Sequence, residues 1–319
     1  MGTALALAER SRGRTAPNPN VGCVIVADGR VVGRGWTQAA GRPHAEAMAL
    51  AEAGGRARGA TSYVTLEPCA HVSTRGPACS DLLIEAGIGR VVCALRDPDA
   101  RTAGRGFARL RAVGIRVTEG VRADEARRSM AGFLTRQALG RPHVTLKLAT
   151  SLDGRIAMAD GSSRWITGPQ ARAQAHLERS RHQAILVGRG TYEADAPRLD
   201  VRLPGLEDCK PKRVLLSATA KDLPGWTVIA APSAIATLAD IDHILVEGGA
   251  AVASAFLAAD LVDRLLLYRA PILIGSGKPA LRDIGLHDLA EAHRRWTHVD
   301  ARQLGSDRLE VYERERNEA

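Results

Sequence analysis

Three potential metal ligands constrain how this chain can fold. His44 opens a stretch of helical composition, Pro68-Cys69 closes a short apolar strand, and Cys79 begins a second helix. If the three converge, two helix starts and one strand end must meet at the same edge of a layered domain. One imidazole and two thiolates form a three-ligand zinc set whose fourth position stays open to water, the arrangement of a catalytic site. Glu46 lies two residues beyond His44, near the metal but not needed to bind it. That offset suits a proton shuttle. A buried histidine beside two unrelated core cysteines is the plainer reading. The joint placement of all four residues at element ends favours the metal. Cys23 and Cys93 lie within apolar strands and read as core thiols.

The surrounding pattern alternates strands and helices. Strands at 21–27 and 30–36 flank Asp28-Gly29, a strong hairpin turn. Helical composition follows over 44–53, a buried strand over 62–66, a helix over 80–86 and a strand over 90–95. A helix at 105–113, a strand at 115–118 and a longer helix over 122–139 complete the first half. Gly140-Arg-Pro142 breaks this pattern and reads as a linker, giving domains at 1–141 and 142–319. Strands are expected in the second half at 143–148, 184–187, 213–216, 243–246 and 264–268. The alternation predicts α/β layers in both domains.

Charge and cysteine content narrow the partners. The net charge is +9, carried mainly by dispersed arginines, and aromatic residues make up only 3% of the chain. No long basic tract or stacking platform appears, so a phosphorylated small molecule fits better than nucleic acid. No apolar run is long enough to span a membrane. The N-terminal residues meet charge too early for a signal peptide and read as an amphipathic helix. Five cysteines, an odd number, suggest a reducing cytoplasm.

The metal motif resembles the deaminase signature of His-x-Glu followed by Pro-Cys-x-x-Cys, although nine residues separate Cys69 from Cys79. The wider sequence resembles the bifunctional deaminase–reductase family of riboflavin biosynthesis. The resemblance rests on Pro17-Asn-Pro-Asn-Val-Gly-Cys23, Gly41-Arg-Pro-His-Ala-Glu46, Val64-Thr-Leu-Glu-Pro-Cys-Ala-His71, Arg96-Asp-Pro-Asp99 and Ala103-Gly-Arg-Gly106. It continues through Leu146-Lys-Leu-Ala-Thr-Ser-Leu-Asp-Gly154, Arg164-Trp-Ile-Thr167, Ala194-Asp195 and Val246-Glu-Gly-Gly249. It implies a three-layer cytidine-deaminase-like N-terminal domain and a dihydrofolate-reductase-like α/β C-terminal domain. It also implies zinc and NADPH as cofactors, a phosphoribosylamino-pyrimidinone substrate, and a homo-oligomer in the cytoplasm.

By the same resemblance His44, Cys69 and Cys79 hold zinc, Glu46 moves the proton, and Asn18 and His71 contact the pyrimidine. Thr150, Trp165, Thr191, Asp195, Ser217 and Gly249 fall at NADPH positions. Lys147, Ser163, Thr167, Arg179, Leu199, Arg202 and Glu247 fall at reductase substrate positions. Guanidinium groups at Arg179 and Arg202 suit phosphate. Lys147 is the first lysine of an arginine-dominated chain, and its place at mid-strand suggests that a compact ammonium is wanted there. Gly248-Gly249 lacks the Gly-x-Gly-x-x-Gly spacing of a Rossmann fold, and Gly275-Ser-Gly-Lys278 reads as a turn rather than a P-loop.

The chain departs from the family in four places. The inter-cysteine loop is one residue longer, and Val72 stands where a second histidine is usual. The segment Asp195-Ala-Pro-Arg-Leu-Asp-Val-Arg202 places the Asp200 charge where a phosphate-bearing ligand passes. The span from Ser217 to Glu247 is short, which predicts a missing strand–helix unit and a weakened or inactive reductase. A tRNA adenosine deaminase shares the zinc motif and the basic charge, but the long inter-cysteine loop and the full second domain argue against it. A non-catalytic zinc module is disfavoured by Glu46 beside an open coordination position.

Overall fold

The computed structural model describes residues 1–71 and 75–316. The chain divides into two compact units, Met1–Gly140 and Arg141–Ala319. In the first, α1 (Gly2–Ala8) precedes the hairpin β1 (Gly22–Ala27) and β2 (Arg30–Trp36). Asp28 and Gly29 turn it with φ of 49° and 74°, the left-handed pair that matches strand twist. Next come α2 (Ala45–Ala53), β3 (Thr61–Leu66), α3 (Cys79–Glu85), β4 (Arg90–Leu95), α4 (Arg105–Ala112), β5 (Arg116–Thr118), α5 (Ala123–Ser129) and α6 (Ala131–Leu139). The sheet order is β2-β1-β3-β4-β5, antiparallel through β3 and parallel beyond it.

Alternation along β1 sends Cys23 and Ile25 to one face and Val24 to the other. The first two join the main core, while Val24 packs with Ala4 and Leu7 of α1. Helices thus cover both faces, giving three layers. A Cβ on Gly35 would lie 2.0 Å from the Ala45 carbonyl oxygen, so this glycine lets α2 approach the hairpin closely. The long helix expected over 122–139 is broken at Met130 into α5 and α6. There the Asn20 amide donates to the Ser129 carbonyl at 3.2 Å, and Met130 is fully buried.

The second unit contains β6 (His143–Thr150), β7 (Arg155–Ala157), α7 (Pro169–Ser180), β8 (Ala184–Gly188), α8 (Arg189–Asp195), β9 (Lys212–Leu216) and β10 (Thr227–Ile229). Then follow β11 (His243–Val246), α9 (Ala250–Ala258), β12 (Arg264–Arg269), β13 (Lys278–Pro279), β14 (Trp296–Leu304) and β15 (Asp307–Arg314). The eight-stranded order is β10-β9-β8-β11-β6-β12-β15-β14. The chain steps from β6 out to β10 and returns to insert β11 between β6 and β8. Ligands of open α/β sheets bind at the C-terminal strand ends, where the order reverses.

The short Ser217–Glu247 span, expected to lack a strand–helix unit, nevertheless contains one strand and one helix before β11. It holds β10, paired in parallel with β9, and a 3-10 helix at Pro232–Thr237. At the start of the unit, Arg141 grips both oxygens of Asp263 at 2.7 and 2.9 Å. Val144 N–H donates to the same carboxylate at 2.8 Å, fixing the entry into β6.

Candidate functional site

In the first unit, the backbone brings the expected metal ligands together. His44 is the N-cap residue of α2, Cys69 follows β3, and Cys79 begins α3. Their ligand atoms lie within 4.8 Å of one another. His44 Nδ1 is 3.2 Å from Cys79 Sγ and 3.7 Å from Cys69 Sγ. Tetrahedral zinc bonds of ordinary length give N···S edges of about 3.6 Å, so the donor set fits the metal. A thiol hydrogen bond from Cys79 draws the Cys69 thiol down to about 4 and raises Cys79 itself. Two thiols this close compete for one proton, which suits ligands that bind as thiolates.

Glu46 lies in the first turn of α2 and is buried, at 3% exposure. Burial pushes its carboxyl up to about 7. It lines a cavity of roughly 370 Å³ together with His44, Cys69, Asn18 and His71. Asn18 does not simply face that cavity. Its amide donates to the Gly41 carbonyl at 2.9 Å and lies 3.2 Å from His44 Nε2. That nitrogen of the imidazole lies on the side of the ring opposite the thiols. His71 Nδ1 lies 3.3 Å from Thr102 Oγ1. Val72 falls outside the described residues.

Several wall residues carried no assigned role from sequence. Arg42, Arg75, Arg101, Asp97 and Asp99 all line this cavity. Burial pushes the Asp97 carboxyl up to about 6. Glu67 is buried and accepts N–H bonds from Asp97 at 3.3 Å, Gly104 at 2.9 Å and Phe107 at 3.2 Å. It ties the end of β4 and the start of α4 to the strand end that carries Cys69. Its signal lay in the Glu67-Pro-Cys69 motif, but a sequence does not show which N–H groups will face a carboxylate.

The second unit gathers polar groups at the C-terminal ends of β6 and β11. Arg179, on α7, grips Glu247 at 2.7 and 2.9 Å, and Lys147 Nζ stands 4.0 Å from the same carboxylate. Burial would raise the Glu247 carboxyl, but the Arg179 guanidinium overrides it and holds it down to about 2. Burial lowers the Lys147 ammonium. Nearby, Gly249 is the N-cap residue of α9, and a Cβ placed there would lie 3.9 Å from Thr191 Oγ1. Gly188 opposes Leu216 across β8 and β9, so Ser217 follows at the adjacent strand end.

The remaining residues are more dispersed. Asp195 pairs with Arg164 at 3.3 Å, and Arg172 lies over the exposed Trp165 ring, 4.8 Å from its centroid. Thr150 and Leu199 are buried, and Ser163 is exposed. The Thr167 carbonyl accepts from Arg172. Ser217 spends its oxygen on the backbone N–H groups of Thr219 and Ala220. Asp200 pairs with Arg198 at 3.0 Å and Arg202 at 3.3 Å, so its charge is locally balanced.

Comparison with known proteins matches both units. Residues 1–95 match the cytidine and deoxycytidylate deaminase zinc-binding region, and residues 142–309 match the RibD C-terminal domain. The riboflavin biosynthesis protein RibD of Escherichia coli K12 is 41% identical, with 96% of each chain covered. The structure of Acinetobacter baumannii RibD superposes with a TM-score of 0.86 at 37% identity, covering 99% of this chain and 98% of that one. A diaminohydroxyphosphoribosylaminopyrimidine deaminase/5-amino-6-(5-phosphoribosylamino)uracil reductase from Thermotoga maritima gives a TM-score of 0.87 at 35% identity. That match covers 98% of this chain and 97% of the other. The chain belongs to the RibD family of bifunctional riboflavin-biosynthesis deaminase–reductases.

Proposed function

We propose that this chain deaminates 2,5-diamino-6-(5-phosphoribosylamino)pyrimidin-4-one in its first unit and reduces the ribosyl group of the product to ribityl in its second. The observation that carries the reading is the convergence of His44, Cys69 and Cys79 beside the buried Glu46 in one cavity. Bound zinc lowers the pKa of a water in its open position to about 7. His44, Cys69 and Cys79 would hold the metal. Glu46 accepts a proton at its carboxylate and passes it to the departing ring amine. Arg42, Arg75 and Arg101 place positive charge in the cavity wall, which suits a phosphate.

In the second unit NADPH supplies the hydride. Hydride reaches the ribosyl carbon that bears the amine, Lys147 holds the proton that the ribose ring oxygen takes up as its bond to that carbon breaks, and Glu247 with Arg179 fixes the position of that ammonium. Gly248 and Gly249 admit the cofactor close to the backbone, and Thr150, Thr191, Asp195, Trp165 and Ser217 flank it. Ser163, Thr167, Leu199 and Arg202 border the substrate.

The enzyme acts in the cytoplasm on small molecules, consistent with five cysteines that are all free. It forms a homo-oligomer, a reading supported by the exposed Leu152, Ile272 and Leu273. Leu152 N–H donates to the Ile272 carbonyl, which brings these exposed residues near one another. Light scattering tests the assembly. The activity is tested by giving zinc-loaded protein the pyrimidinone with and without NADPH. Ammonia release in both cases, with NADPH consumed where it is supplied, supports the reading. Absence of ammonia release contradicts it.

A further inference from the structure

We infer that Thr102 fixes the hydrogen-bonding polarity of His71, so that the imidazole presents an N–H donor to the ring carbonyl oxygen of the substrate. The inference rests on the deaminase reading of this cavity. Thr102 is fully buried, at 0% exposure. Its hydroxyl oxygen accepts from Ala70 N–H at 3.5 Å and lies 3.3 Å from His71 Nδ1. A hydroxyl carries one proton to donate as well as lone pairs to accept. Buried donors are almost always satisfied.

Among the described residues, the acceptor within reach of the Thr102 hydroxyl is His71 Nδ1. A neutral imidazole that accepts at Nδ1 carries its proton on Nε2. The Nε2 edge points away from Thr102, and His71 lines the cavity. The cavity therefore meets a donor there rather than an acceptor. A pyrimidinone carbonyl oxygen complements that donor, whereas an amino group at the same point would leave two donors opposed. Thr102 acts through His71 and is a positioning residue.

The test uses full-length, zinc-loaded protein labelled with 15N-histidine, at roughly two pH units above the ordinary imidazole value. His71 resonances are assigned by their loss in His71→Gln. Wild type is expected to show a protonated Nε2 and a bare Nδ1. The opposite pattern overturns the inference regardless of how any variant folds. Thr102→Val keeps the side-chain shape but removes the hydroxyl. It is expected to mix the two tautomers and raise the deamination KM by about 3- to 10-fold, the value of one neutral hydrogen bond. The kcat and zinc content should stay near wild type, and Thr102→Ser should restore both tautomer and KM. The same penalty on the dephosphorylated substrate assigns the donor to the ring carbonyl. A penalty that disappears without the phosphate overturns that assignment. A protein that deaminates neither substrate fails the functional reading itself, whereas an active deaminase indifferent to Thr102→Val fails only this inference.

Discussion

Arg179 holds both carboxylate oxygens of Glu247 at the C-terminal end of β11, with the Lys147 ammonium 4.0 Å from the same group. Because the folded carboxyl is held down to about 2, the pair contributes stability above the ordinary carboxylate range. That contribution is lost as pH falls from about 4.5 toward about 2. Glu247→Gln should lower stability by about 3–5 kcal/mol at neutral pH, as expected when one partner of a buried pair is removed. It should also flatten the loss of melting temperature over that acid window. Calorimetry from pH 2 to 7 checks both effects.

Glu46→Gln should retain zinc and fold while losing deamination by at least about 10²-fold, the lower end for a positioned acid–base group. NADPH oxidation driven by the deaminated intermediate should be unchanged. Steady-state kinetics on the two half-reactions, with metal analysis, measures this separation.

Cys79→Ser replaces a thiolate ligand with a hydroxyl and should lose most of the bound zinc during dialysis against a chelator. Full retention of zinc would remove Cys79 from the ligand set despite the 3.2 Å approach of its sulfur to His44 Nδ1.

Gly106 sits where a Cβ would lie 2.1 Å from the Pro68 carbonyl oxygen, one residue before the metal ligand Cys69. Gly106→Ala must displace that backbone, at a cost of about 1–3 kcal/mol for overpacking. The expected outcome is a lower melting temperature together with faster zinc loss, read by denaturation and chelator kinetics.

The sequence made the zinc site legible because its ligands occupy element ends, and a hairpin, a helix start and a strand end all carry strong local signals. Asp28-Gly29 and the apolar runs of β3, β4 and β11 were recognisable for the same reason. The break at Met130 was not, because it depends on Asn20 reaching Ser129 from more than a hundred residues away. Strands β14 and β15 escaped notice because β14 lies at the sheet edge and shows little apolar alternation. The three-residue β10 and its 3-10 helix were too short for periodicity to reveal. The roles of Glu67 and Thr102 depend on which distant backbone and ring atoms they meet, and neither residue type announces that.

Lys147→Ala removes the ammonium beside Glu247 and should abolish most NADPH oxidation while leaving deamination at the wild-type rate. Sites that share no residues in two separate compact units respond separately. Comparing the two rates in one preparation checks the prediction.

We propose that one chain carries two separable catalytic sites, one at His44-Cys69-Cys79 with Glu46 and one at Lys147 with Glu247. Mixing Glu46→Gln protein with Lys147→Ala protein tests it most directly. Given the diaminopyrimidinone, zinc and NADPH, neither variant alone should form the reduced product, and the mixture should form it. An inactive mixture, or full conversion by either variant alone, would contradict the account.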